Sequence, residues 1–198
     1  MKIFRRFSLK LVCAVMAAIA LGGSIEPLTN ELLVNKPSQV VLAKKKSKKI
    51  RWAKPKATVY LDLNHNTDLI SATNEAIATW NDTGAFTFKK TKNKKKANIV
   101  ISPTYSPYST YAGYTWFNYY IRNHILYFAK VELNTYFLQN FSPYDYSYDR
   151  VVNTVEHELG HAIGLKHTKG HSVMYYKGST YPIQPIDIKH VKKLYHKK

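Results

Sequence analysis

Residues 157–167 read H-E-L-G-H-A-I-G-L-K-H, which sets His157, Glu158, His161, Gly164 and His167 at fixed offsets. Residues four apart on a helix lie one above the other, so His157 and His161 project from one face. Both imidazoles can then meet one metal ion at roughly 2.0–2.1 Å. Glu158 stands one position on, about 100° round the helix. It cannot stack with the two histidines, but it can reach a water on the same metal. His167 follows His161 by six residues and on a continued helix would point roughly 240° away. The spacing therefore predicts that the helix stops, and Gly164 is the expected helix-ending turn, because glycine takes the left-handed conformation at little steric cost. The chain can then return His167 as a third ligand. Three protein ligands leave one position for water, the arrangement of a catalytic zinc site. The expected chemistry is hydrolysis at a single Zn2+, with Glu158 moving protons.

These residues need a scaffold, and the patterning predicts one. Residues 57–63 alternate in the manner of a strand. Residues 68–81 place Leu69, Ile70, Thr73, Ala76, Ile77 and Trp80 on one face, an amphipathic helix with Asn66 or Thr67 as its cap. Residues 85–89, 97–101 (bounded by Pro103), 114–119 and 125–133 read as four more strands. The helix carrying the histidines is expected from about residue 148 to 163, and a last helix over 186–195, with Asp187 in its first turn complementing the dipole. Glu156 reads as a solvated helix residue. His65, His124, His171, His190 and His196 read as surface histidines, with His171 near the cleft rim.

Downstream of His167 runs Ser172-Val173-Met174-Tyr175-Tyr176. Alone, Met174 would be core filler. Following a three-histidine motif so closely, it resembles the Met-turn of the metzincin zinc peptidases. The order of elements resembles the matrixin catalytic domain over most of residues 51–198. Local echoes are Arg51-Trp52, Glu75-Ala76-Ile77-Ala78-Thr79-Trp80-Asn81, Ala97-Asn98-Ile99 and Gln184-Pro185-Ile186-Asp187-Ile188. The resemblance implies an α+β zincin fold: a twisted mixed five-stranded sheet, a long first helix, a zinc-binding active-site helix, the Met-turn and a C-terminal helix. It implies a zinc-dependent metalloendopeptidase that hydrolyses peptide bonds through zinc-bound water activated by Glu158. Met174 would pack beneath the ligands. Tyr176 stands where the astacin and serralysin branches carry a tyrosine that approaches the zinc or the transition state, and where matrixins usually have proline. An edge strand within 111–117 would hold extended substrate, and residues 175–183 would wall the primary specificity pocket. One departure is plain. Residues 102–133, where vertebrate matrixins bind structural zinc and calcium, contain one histidine (His124) and one acid (Glu132). Structural Zn2+ and Ca2+ are not expected.

Composition bounds the setting. At 198 residues the chain suits one domain with short extras. Residues 1–23 combine Lys2, Arg5, Arg6 and Lys10 with an uncharged apolar run and small residues, the pattern of a secretory signal peptide. The run is shorter than the roughly 20 residues of a membrane span, so no span is expected after its removal. Residues 24–50 read as a basic linker or short pro-segment, and 51–198 as the catalytic domain. Cys13, the one cysteine, lies in the signal, so the mature chain has no disulfide and no cysteine with which to hold the zinc latent. A secreted, cysteine-free, lysine-rich chain points to a Gram-positive bacterial exoprotein, extracellular or held at the wall, and monomeric. Net charge is +18. Without the signal's four basic residues about +14 remains. Lysine runs at 44–49 and 92–96 favour anionic cell-wall polymers, or are solvated segments. No nucleic-acid fold signature accompanies them, so no specific nucleic acid is expected. Beside a protein or peptide substrate, two other functions stay open: a surface polyanion-binding protein on a peptidase-like fold, and a peptidase specific for wall peptides.

Overall fold

A strand that rests one face on a core alternates buried and exposed side chains. Residues 56–61 do so, with Ala57 and Val59 buried and Lys56 exposed. The architecture is that of a computed structural model, which describes residues 49–139, 144–178 and 180–195. All of these fall within one unit of the chain, Lys45–Lys198. In order they form β1 (Lys56–Leu61), α1 (Thr67–Asp82), β2 (Thr87–Lys90), β3 (Ile99–Thr104), β4 (Gly113–Tyr120), β5 (Ile125–Asn134), the one-turn α2 (Thr135–Leu138), α3 (Tyr148–Ala162) and α4 (Pro185–Tyr195). A 3-10 turn, Lys94–Lys96, joins β2 to β3.

The fold is a mixed five-stranded sheet with helices on one face. Its order is β2-β1-β3-β5-β4, and every pairing is parallel except that of β4 with β5. β2 and β4 are therefore the edges. Residues paired across strands point to the same face. Ala57, Val59, Phe88, Ile99, Ile101, Ala129, Val131 and Leu133 turn inward and join Leu69, Ala76, Trp80, Val155 and Leu159 of α1 and α3 in the core. The opposite face carries Lys56, Thr58, Tyr60, Lys89, Lys130, Glu132, Tyr114 and Trp116. Asn66 caps α1 by accepting from Leu69 N at 3.1 Å, and Ser147 caps α3 by accepting from Arg150 N at 3.3 Å. Such caps satisfy amides that the first turn leaves without partners.

Three local expectations need correction. β3 does not end before Pro103 but runs through it, with Pro103 opposite Leu133. Its register with β1 stops at Ile101, so beyond that point only one flank needs ladder donors and the missing N–H costs nothing. α2 has no counterpart in the sequence pattern, because one turn is too short to show periodicity. Glu156 is not solvated: only 2% of it is exposed, because its face of α3 packs under α1 and residue 183. The expected signal and most of the linker, residues 1–48, lie outside the described residues, as does His196. Among the described residues no helix is long and apolar enough to cross a membrane.

Candidate metal centre

α3 sets the first two histidines, and its end sets the third. Gly164 N–H donates to His161 O and Leu165 N–H to Gly160 O, both at 2.9 Å. That crossed pair is the Schellman ending of a helix, and Gly164 supplies its left-handed residue with φ +97°. A second constraint acts on the same glycine: a Cβ there would run into the carbonyl oxygen of Ile50. Beyond the turn, Thr168 N–H donates to Met174 O at 2.8 Å and Tyr176 N–H to Thr168 O at 3.2 Å. The segment after His167 is thus zipped to the turn at 172–175, which returns His167 to the helix.

The three imidazoles converge. Their Nε2 atoms form a triangle with sides of 3.2 Å (His157–His167), 3.1 Å (His157–His161) and 3.0 Å (His161–His167). His157 Nδ1 donates to Val173 O at 2.6 Å and His161 Nδ1 to Leu165 O at 3.1 Å. A neutral imidazole has one N–H, so these bonds leave the two Nε2 atoms as bare lone pairs. At most one proton, on His167, could lie among the three nitrogens. Hydrogen bonding cannot hold such a triangle together, and a shared cation can. Ligands at roughly 2.0–2.1 Å in tetrahedral array stand roughly 3.3 Å apart, close to the spacing found. The donor set therefore fits one metal ion, with His157 buried and His167 exposed toward solvent. Burial of His157 and His161 lowers both pKa values to about 4, so both rings are neutral ligands at ordinary pH.

No family model matches this chain, and no curated protein sequence matches it. What the site can do is therefore read from its own geometry.

Glu158 is held between α3 and the edge strand β4. Its Oε2 lies 2.6 Å from Thr115 Oγ1, which also stands 3.0 Å from the Glu158 carbonyl. Gly113 lines the other side: a Cβ there would fall 2.6 Å from Glu158 Cγ and 2.8 Å from Oε1. Burial raises the carboxyl to a pKa of about 7, against the lowering effect of Thr115. Beneath the histidines Met174 is fully buried, with its sulfur against α3 where Gly160 omits a side chain; a Cβ at Gly160 would collide with it. Asp187, also fully buried, anchors this turn. Its Oδ1 accepts from Ser172 Oγ at 2.5 Å, and its Oδ2 from Val173 N and Gln184 N, each at 2.9 Å. Its role is to hold the carbonyl that orients His157, beyond the dipole complement expected from its position. Metal-binding histidines generally rely on such acceptors for tautomer and aim.

The structure thus brings together His157, His161 and His167, with Gly164 at positive φ in the turn after α3 and Met174 fully buried. It does not bring the Tyr176 ring onto a histidine ring. That ring lies 5.2 Å from Tyr175 and under Lys177 Nζ, half exposed. His171 packs on Tyr181, 4.1 Å between ring centroids, and His124 stacks on Tyr119. Thr115, Gly113 and Gly160 are site residues that the sequence pattern does not mark. Thr115 and Gly113 stand at no fixed offset from the motif, and Gly160, although inside it, occupies one of its variable positions.

Proposed function

We propose that this chain is a secreted zinc metalloendopeptidase of the metzincin type, matrixin-like over residues 51–198, with residues 1–23 as its signal. The observation that carries the reading is the triangle of Nε2 atoms on a helix that also presents a seated carboxyl, Glu158. His157, His161 and His167 would hold the ion. Bound there, zinc supplies Lewis acidity that polarises a carbonyl and acidifies water toward neutrality. Glu158 accepts the proton of the attacking water and returns it to the leaving amine. A carboxyl poised near neutrality does both, and Thr115 suits either state. Its hydroxyl donates to the ionised Oε2; when Glu158 is protonated, Thr115 accepts from it and donates to the Glu158 carbonyl instead. Among the described residues β4 has one unpaired edge, and it packs against α3, so an extended peptide adding antiparallel to it would cross the site. The prepared seat of Glu158 favours this reading over a polyanion binder on an idle peptidase fold, which has no use for Gly113 and Thr115 around a carboxyl.

The test is peptide-library cleavage by the purified chain, with Glu158→Gln and a chelator as controls. Glu158→Gln should keep one equivalent of zinc and lose turnover by about 10³-fold or more. Near-normal turnover in that variant would remove Glu158 from the mechanism. Two equivalents of zinc would reveal a metal site in residues 102–133 that their composition argues against.

A further inference from the structure

The lysines that dominate the charge are not used by the hydrolytic site, and several of them meet at one place on the opposite face of the sheet. Trp52, Lys54, Lys56, Lys89, Asn98 and Tyr127 are among the residues that line a groove of about 550 Å³ there. Three lysines line it and no acid does. The ion pairs among the described residues are Lys94–Asp62 and Lys130–Glu132, so Lys54, Lys56 and Lys89 have no anionic partner there. The 3-10 turn Lys94–Lys96 abuts the same wall, since Lys96 O lies 3.4 Å from Thr58 Oγ1. Asn98 Oδ1 is taken by Thr58 N and Oγ1, both at 2.9 Å, while its Nδ2 makes no hydrogen bond among the described residues. The groove therefore offers concentrated positive charge and a spare amide donor, with Trp52 and Leu126 in its lining.

Lysines on an edge strand commonly protect it from pairing with another sheet. That accounts for Lys89 and Lys90 on β2, and it argues against a second copy pairing along that edge. It does not account for Lys54 and Lys56, which precede or belong to the interior strand β1. Converging like charges on one groove disfavours the free state and favours a polyanion. Bases need exposed ring faces at successive positions. Here Trp52 is 4% exposed, with Nε1 donating to Ala162 O, and Tyr127 is the one half-exposed ring of the lining. We infer that this groove binds a phosphodiester-linked polymer without bases, of the polyol-phosphate class, and so tethers the enzyme to an anionic surface while α3 on the other face stays free.

The probe is fluorescently labelled poly(glycerol phosphate), titrated with the full chain and followed by anisotropy over a range of salt. Two variants lose the same charge: Lys54→Ala/Lys56→Ala/Lys89→Ala in the groove, and Lys189→Ala/Lys192→Ala/Lys193→Ala on α4. The groove variant should bind about tenfold or more weakly at 0.1 M salt, with a log–log salt slope shallower by about 2. The α4 variant should change less than about twofold. Equal losses in both would overturn the site in favour of a diffuse field. Tighter binding of a single-stranded oligonucleotide of equal charge, with the same lysine dependence, would overturn the choice of ligand. Amine acetylation of the unaltered chain tests the groove without a variant. Polymer should protect Lys54, Lys56 and Lys89, and equal labelling of these lysines with and without polymer would overturn the groove.

Discussion

Thr115 shows how much a single hydroxyl decides at this site. It aims Glu158, and nothing else among the described residues is bonded to that carboxylate. A hydrogen bond to a charged group is worth about 1.5–3 kcal/mol, so Thr115→Val should lower kcat by about 10–100-fold. Zinc affinity should stay within about twofold, because no ligand touches Thr115. Thr115→Ser, which keeps the hydroxyl, should restore most of kcat. A parallel fall in zinc affinity in the valine variant, measured by chelator competition, would recast Thr115 as a general support of α3. Gly113 and Gly160 act by absence. Each leaves room that a neighbouring side chain fills, Glu158 in one case and Met174 in the other.

Among elements, the turn at residues 172–175 and the start of α4 behave as one part, joined through Asp187. Ser172, Val173 and Gln184 all donate to its carboxylate. Asp187→Asn keeps the shape but turns one acceptor into a donor facing N–H groups. It should loosen Val173 O, and through it His157. The expected result is a 10–100-fold loss in zinc affinity, the usual cost of disturbing a ligand's support. Chelator competition measures it, and an unchanged zinc Kd would limit Asp187 to packing. The C-terminal end of α3 is braced from two further directions. Trp52 Nε1 donates to Ala162 O at 2.9 Å and Tyr195 Oη to Ile163 O at 2.7 Å, satisfying carbonyls that a helix end leaves unpaired. Burial raises the Tyr195 phenol well above its ordinary range, so it remains a donor.

For the molecule as a whole, the metal centre brings opposing pH effects into one core. His157 and His161 fall to pKa values of about 4, so alone they would withdraw stability as pH drops from about 6.5 toward 4. Glu156 and Glu158 rise to about 7, each chiefly through burial, so alone they would withdraw stability as pH climbs from about 4.5 toward 7. Between about pH 4.5 and 6.5 the metal-free fold holds two protons on the carboxyls while the unfolded chain holds two on the histidines. The metal-free stability contributed by these four groups should be nearly flat in that window. Glu156→Gln removes one carboxyl, and its metal-free stability should then rise with pH by about 1.4 kcal/mol per unit across the window. Urea melts at pH 5 and 6 read this directly, and identical slopes for both proteins would mean that Glu156 does not stay protonated in the fold.

The candidate metal ligands were legible because a helix imposes its own geometry on a short motif. His157, His161 and the glycine that ends the helix are related by local backbone rules alone, and the Met174 turn follows within a few residues. Strand and helix positions were readable for the same reason, since one-sided burial leaves a period in the sequence. The order β2-β1-β3-β5-β4, with β4 at the edge beside α3, depends on long-range pairing, which leaves no local trace. So do Thr115 and Gly113, some forty residues before Glu158, and Asp187, whose position suits a dipole complement and whose side chain is an internal clamp. The burial of Glu156 belongs with them: its neighbours in sequence permit a solvated site, and only α1 and residue 183 closing over it decide otherwise. Spacing along one helix determined which atoms can meet a metal; packing between elements decided how those atoms are aimed, and which carboxyl stands beside them.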